Sequence, residues 1–101
     1  MEKSVFTPTY AVLRQMLVAI RKSARLSQRD LADRLGRERS FVARIEQGER
    51  RVDVIELFWI CEACGADPRD VLAPILRAAR KSARIQTRPL RPEKLRTSSK
   101  S

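Results

Sequence analysis

Apolar residues recur every three or four positions through most of the first 80 residues, which is the spacing of one face of an α-helix. Alternating β-branched and aromatic residues, typical of strands, are missing, and the chain has only 3 glycines. The pattern therefore predicts an all-α fold, a compact domain of five helices.

Helix caps and stop signals divide this pattern into segments. The residues that open them are Thr7 with Pro8, Ser27, Asp53 with Glu56 in a capping box, and Asp67 with Pro68. The third helix is expected from Arg39 to Gln47, ending at Gly48. Pro74 lies inside the fifth segment and is expected to kink or restart the helix, because its ring removes a backbone donor.

Residues 28–47 have the spacing of two short helices joined by a tight turn. Ala32 is small enough for the helices to touch, Gly36 tolerates a left-handed turn, and Val42 and Ile45 can anchor the second helix. A helical wheel with Val42 inward turns the polar and short side chains outward, namely Ser40, Ala43, Arg44 and Gln47.

Three strings extend this unit: LSQRDLA, FVARIEQGER and DPRDVL. With them, residues 13–76 resemble the phage-repressor-like helix-turn-helix family of the Cro and C1 type, also called Xre-like. The resemblance implies a lambda-repressor-like DNA-binding domain whose third helix enters the major groove of double-stranded DNA.

The resemblance also implies which side chains meet DNA. Base contacts are expected from Arg39, Ser40 and Arg44, and an arginine bound to the O6 and N7 atoms of guanine predicts a G·C pair in each half-site. Further candidates on the recognition helix are Glu38, Ala43 and Gln47. Contacts to the phosphate backbone are expected from Gln28, Arg50 and Arg51.

Two acidic side chains need separate interpretations. Glu46 lies on the inward side of the wheel, where a lone carboxylate is costly, and the resemblance supplies Arg21 as its structural partner. Glu38 stands where the family usually has Ser, Thr or Pro. It could read a cytosine amino group, but we interpret it as a helix cap.

The fourth helix carries a C-x-x-C pair and two large apolar residues on its other side. Cys61 and Cys64 cannot complete a zinc site in a chain without histidine, so we predict that they pack inward with Val54, Leu57 and Phe58, with no metal or cofactor. A self-association patch is expected at Ile55 and Trp59, unless the tail or the first helix covers them.

Charge is concentrated at the C-terminus of a chain with net charge +10. Residues 1–76 carry 13 basic and 11 acidic side chains, whereas residues 77–101 carry 9 and 1. We therefore divide the chain into an N-terminal extension (1–9), the helical domain (10–80) and a basic, disordered tail (81–101). The tail could add phosphate contacts to DNA, bind RNA or a membrane surface, or only aid solubility.

These observations predict a cytoplasmic, nucleoid-associated regulator of transcription, with repression favoured, that acts as a homodimer. No secretory or membrane-spanning segment is expected. Alternatives are an antitoxin bound to a toxin, a restriction-modification controller, and a protein-interaction module without specific DNA binding. An enzyme is not expected, because the chain lacks histidine, a nucleophile paired with a base, and a phosphate-binding glycine loop.

Overall fold

The computed structural model describes residues 7–82, and within them it contains five α-helices and no strand. Their bounds are Pro8–Ser23 (α1), Gln28–Arg34 (α2), Phe41–Glu46 (α3), Val54–Cys64 (α4) and Pro68–Ser82 (α5). The predicted all-α, five-helix fold is confirmed. The predicted tail, apart from residues 81 and 82, lies outside the described residues, and so do positions 1–6 of the predicted extension.

Side-chain caps begin three of the helices where the sequence indicated. Thr7 Oγ1 accepts a hydrogen bond from the Tyr10 backbone N–H at 3.1 Å. Capping boxes, in which two residues satisfy each other's backbone N–H groups, join Ser27 to Asp30 and Asp53 to Glu56. These bonds fix the entry of the chain into α1, α2 and α4.

The core lies where the five helices meet, with α5 packed along α1, and α2 and α3 packed on each other. Its fully buried apolar residues are Leu17, Leu31, Ala32, Phe41, Val42, Ile45, Leu57, Ile60, Cys61 and Val71. Three of them belong to α3, so this short helix is held by its inward side. Gly36 has φ +68° in the turn between α2 and α3, which confirms the expected left-handed position.

Helix α3 is shorter than the predicted segment. It begins at Phe41, while Arg39 and Ser40 lie in the turn before it, and Ser40 makes no side-chain capping bond. The interpretation of Glu38 as the cap is wrong. Glu38 stands three residues before the helix, where its carbonyl accepts from the Phe41 N–H at 3.0 Å and its carboxylate is exposed.

The inward side of α4 also differs from the prediction. Leu57 and Cys61 are buried as expected, but Val54 and Phe58 are 59% and 42% exposed. Glu56 is buried instead, because the Asp53 cap and arginine side chains bind its carboxylate and turn that side of the helix inward.

Helix α5 runs without interruption through Pro74 to Ser82, so the prediction that it could restart there is wrong. Val71 before the proline is buried, and Ile75 after it packs on the core. Packing on both sides of Pro74 therefore maintains the helix despite the missing N–H. Among residues 7–82, no helix has the length and apolar character needed to cross a bilayer.

Candidate nucleic-acid interface

The side chains predicted to read bases share one open surface at the start and along the outer side of α3. Arg39, Ser40, Arg44 and Gln47 are exposed, and Ala43 is half-buried between them and the core. Within residues 7–82, the guanidinium groups of Arg39 and Arg44 have no hydrogen-bond or ion-pair partner. Both are therefore available to a ligand that presents acceptors.

The C-terminal end of α3 is bound through Glu46. Arg21 Nε lies 2.7 Å from Glu46 Oε2 and its Nη2 lies 3.1 Å from Oε1, with the two side chains only 10% and 9% exposed. Arg14 Nη1 donates to the Glu46 carbonyl at 3.1 Å. The pair that the resemblance implies is thus a bidentate, buried contact that ties α3 to α1.

Gln28 joins the same carboxylate. Its Nε2 donates to Glu46 Oε1 at 2.7 Å, so the first residue of α2 is bound to the last residue of α3. Sequence reasoning assigned Gln28 to a DNA phosphate. In the structure its side-chain amide nitrogen is bound within the protein, in a partly buried network that spans α1, α2 and α3.

The N-terminal end of α3 is bound through Glu56 on α4. Arg50 Nη1 and Nη2 each lie 3.0 Å from a Glu56 carboxylate oxygen, and Arg37 Nη1 lies 3.5 Å from Oε2. The guanidinium carbons of Arg37 and Arg50 lie 4.1 and 4.7 Å from the centroid of the Phe41 ring. Phe41, the first residue of α3, is thereby held by two cations that share one buried carboxylate.

This cluster changes the interpretation of the loop after α3. Arg50 was expected to contact phosphate. In the structure its Nη atoms donate to Glu56 and to the Arg51 carbonyl, the latter at 2.7 Å from Nη1. Arg51 itself is exposed. Sequence reasoning found Glu56 only as a cap, since contacts over 6 and 19 residues follow no helical repeat.

The ion pair governs the titration of Glu56. The hydrogen bond from Arg50 lowers the pKa of the Glu56 carboxyl below its ordinary 4.5, against the opposing effect of burial. The same bond raises the pKa of Arg50. Both groups therefore remain charged over the neutral range.

The two cysteines lie on the inner side of α4, with Cys61 buried and Cys64 half-buried. Burial raises the pKa of both thiols, which keeps them protonated near neutral pH. Within the described part of the chain, no group of three or more His, Cys, Asp or Glu side chains is arranged to hold a metal.

The outer side of α4 carries four exposed apolar residues in sequence-adjacent pairs: Val54, Ile55, Phe58 and Trp59. Ile55 is 50% and Trp59 is 55% exposed, so α1 does not cover them. We call these four residues the α4 patch. It is larger than the two residues predicted from sequence.

Comparison with known proteins identifies this arrangement. A family model described as a helix-turn-helix domain matches residues 8–74. No curated protein matches the chain. Among solved structures, the chain is similar to an XRE-family like protein from Pseudomonas syringae pv. tomato str. DC3000, with 40% identity, coverage of 68% of this chain and 84% of that one, and a TM-score of 0.64.

Two further structures share the fold. The clp gene regulator ClgR from C. glutamicum is 24% identical over 75% of this chain and 97% of its own, with a TM-score of 0.62. A mutant of the Restriction-Modification Controller Protein C.Esp1396I is 18% identical over 76% of this chain and 98% of its own, with a TM-score of 0.63. At these identities, the likeness establishes the fold alone.

The Glu56 cluster predicts a specific acid sensitivity. Because the folded-state pKa is lowered, the carboxylate stabilises the protein above about pH 4.5 and loses that effect as pH falls through the folded-state value. Glu56→Gln should lower the free energy of unfolding at pH 7 by about 1.5 to 3 kcal/mol, the range for hydrogen bonds to charged groups. It should also flatten the acid side of the stability profile.

Urea unfolding between pH 2.5 and 7 measures both effects, with Glu62→Gln on the exposed side of α4 as the matched control. Coincident profiles for the wild type and Glu56→Gln would show that the ion pair does not stabilise the folded state.

Proposed function

We propose that this chain, which belongs to the Xre-like helix-turn-helix family of DNA-binding transcription regulators, binds a specific operator through α3 and represses transcription. The observation that carries the proposal is the contrast between the two sides of α3. Its inner side is buried, while the guanidinium groups of Arg44 on its outer side and of Arg39 in the turn before it have no partner within residues 7–82. A fixed helix with free outward donors suits the reading of base edges.

Base recognition would fall to Arg39, Ser40 and Arg44, with Glu38, Ala43 and Gln47 beside them. Each arginine can donate two hydrogen bonds to O6 and N7 of a guanine, so we expect at least one G·C pair in each half-site. Ala43 is small and can approach a thymine methyl group. Arg51 is exposed and remains a candidate phosphate contact.

The roles expected of Gln28 and Arg50 are less well supported. In the structure, Gln28 Nε2 donates to Glu46 and the Nη atoms of Arg50 donate to Glu56, two carboxylates that hold α3. Only the second N–H of Gln28 Nε2 and the remaining N–H groups of Arg50 are left for a phosphate. We therefore assign both side chains to the support of α3 and keep their phosphate contacts outside the proposal.

A homodimer would form through the α4 patch. The apolar residues exposed on α5, Leu72 and Leu76, lie on a helix whose second half exposes Arg77, Arg80 and Lys81 without an acidic residue, whereas in its first half Asp70 is exposed and Arg69 pairs with Asp67. Pairing the second halves of α5 from two copies would bring these like charges together. The exposed charged neighbours of the α4 patch, Arg51, Asp53 and Glu62, have mixed signs. The second copy would bind a second half-site about one helical turn, ~34 Å, away, which predicts a pseudo-palindromic operator.

The first experiment measures fluorescence anisotropy on duplexes that tile the DNA around the gene, near physiological salt with nonspecific competitor. We expect saturable binding to one duplex. Replacing Arg39 and Arg44 by Ala should weaken it by about 5- to 150-fold per arginine, since a bidentate base contact contributes about 1 to 3 kcal/mol. The Arg77→Ala, Arg80→Ala variant on α5 removes the same charge and should retain the preference for that duplex.

Weak and equal binding to all duplexes, unaffected by the α3 substitutions, would contradict a sequence-specific regulator. It would favour a protein-interaction role.

The dimer is tested by sedimentation equilibrium. Ile55→Glu with Trp59→Glu should convert a dimer to a monomer, because two carboxylates would then be buried without partners. Leu72→Glu with Leu76→Glu introduces the same charge on α5 and should leave the dimer intact. A dimer that survives the α4 change, or that dissociates only with the α5 change, would place the interface elsewhere.

A further inference from the structure

We infer that Arg37 binds a phosphodiester of the DNA backbone beside the recognition surface. This inference rests on the proposed function and adds a contact that the sequence pattern did not indicate. Three observations carry it: the place of Arg37 in the turn, its loose attachment to Glu56, and its contact with the Phe41 ring.

Arg37 lies in the turn between α2 and α3, directly after Gly36 and two residues before Arg39. Its backbone N–H donates to the Ala32 carbonyl at 2.9 Å, so its position relative to both helices is fixed. Its side chain is 32% exposed. A side chain at this place borders the surface that we propose to meet the major groove, where the strands on either side present phosphates.

The hydrogen bonds of Glu56 show that Arg37 can leave it at low cost. Arg50 binds both carboxylate oxygens at 3.0 Å, and the Asp53 N–H donates to Oε1 at 3.1 Å. The single contact from Arg37, at 3.5 Å, is the longest in the cluster. If Arg37 turned to a phosphate, Glu56 would keep its bidentate partner, whereas departure of Arg50 would leave only the Asp53 N–H and the long contact from Arg37.

Phe41 keeps Arg37 oriented without neutralising it. The guanidinium carbon lies 4.1 Å from the centroid of a ring that is 1% exposed. This contact limits the conformations of a long side chain, so less entropy is lost when it binds an anion. A guanidinium also offers paired donors that match phosphate geometry.

Glu38 opposes the contact. Its exposed carboxylate lies 3.9 Å from Arg37 Nε, where it competes with phosphate for the same guanidinium and repels the DNA backbone. Substitutions at the two positions should therefore affect DNA affinity in opposite directions.

The test measures the dependence of the association constant on salt, both on the tightest-binding duplex and on a scrambled one. Arg37→Gln removes the charge but keeps a donor for Glu56. It should make the negative slope of log K against log salt shallower by about 0.9, the value for one phosphate contact. The ranking of duplexes should not change. Arg37→Lys should restore most of the slope, and Glu38→Gln should tighten binding.

The matched control is Arg69→Gln, which removes an exposed arginine from α5 and should leave the slope unchanged. Thermal melting confirms that each variant is folded, and Arg37→Met, which also removes the charge, replaces Arg37→Gln if that variant is not. An unchanged slope in Arg37→Gln, or an altered ranking of the duplexes by affinity at the same slope, would overturn the phosphate contact while leaving the operator proposal in place.

A wild type that prefers no duplex would contradict the operator proposal, yet the slope on the scrambled duplex would still decide the role of Arg37. Absence of any DNA binding would overturn both.

Discussion

The buried carboxylate of Glu46 is the group on which the orientation of α3 depends. It stands at the last residue of that helix and receives hydrogen bonds from Arg21 on α1 and Gln28 on α2. A helix of six residues has too few internal hydrogen bonds to be stable alone, so its direction must come from contacts with its neighbours. Removing one partner of such a buried pair leaves a charge without compensation, which typically costs about 3 to 5 kcal/mol.

A second buried carboxylate, that of Glu56, holds the other end of α3 in place. Glu56 binds Arg50 and Arg37, and both arginines lie against Phe41, the first residue of the helix. The helix is thus attached at both ends through charged contacts and along its middle by apolar packing. This arrangement leaves the outer side of α3 without a structural role in the described residues, which supports the proposal that exposed arginines there contact DNA.

The parts of the fold that depend on local signals could be predicted from the sequence. Helix caps at Ser27 and Asp53 and the left-handed conformation of Gly36 depend on residues a few positions apart. Such local features can therefore be recognised in the amino-acid sequence. The start of α3 was not predictable, because no side chain caps it and packing of Phe41 decides it.

The candidate interface likewise has a part that could be predicted from the sequence and a part that could not. The outward residues of α3 follow from a helical wheel, whereas the internal attachment of Arg50 depends on Glu56, whose burial only the folded structure reveals.

The most direct measurement of the dependence of α3 on its buried charged contacts is amide hydrogen exchange in the wild type and in Glu46→Gln. We predict that exchange of the Arg44 and Ile45 amides accelerates in the variant by a factor at least about tenfold larger than that of the α1 amides around Leu17. Equal acceleration in α1 and α3 would show that Glu46 stabilises the whole domain and does not specifically hold α3.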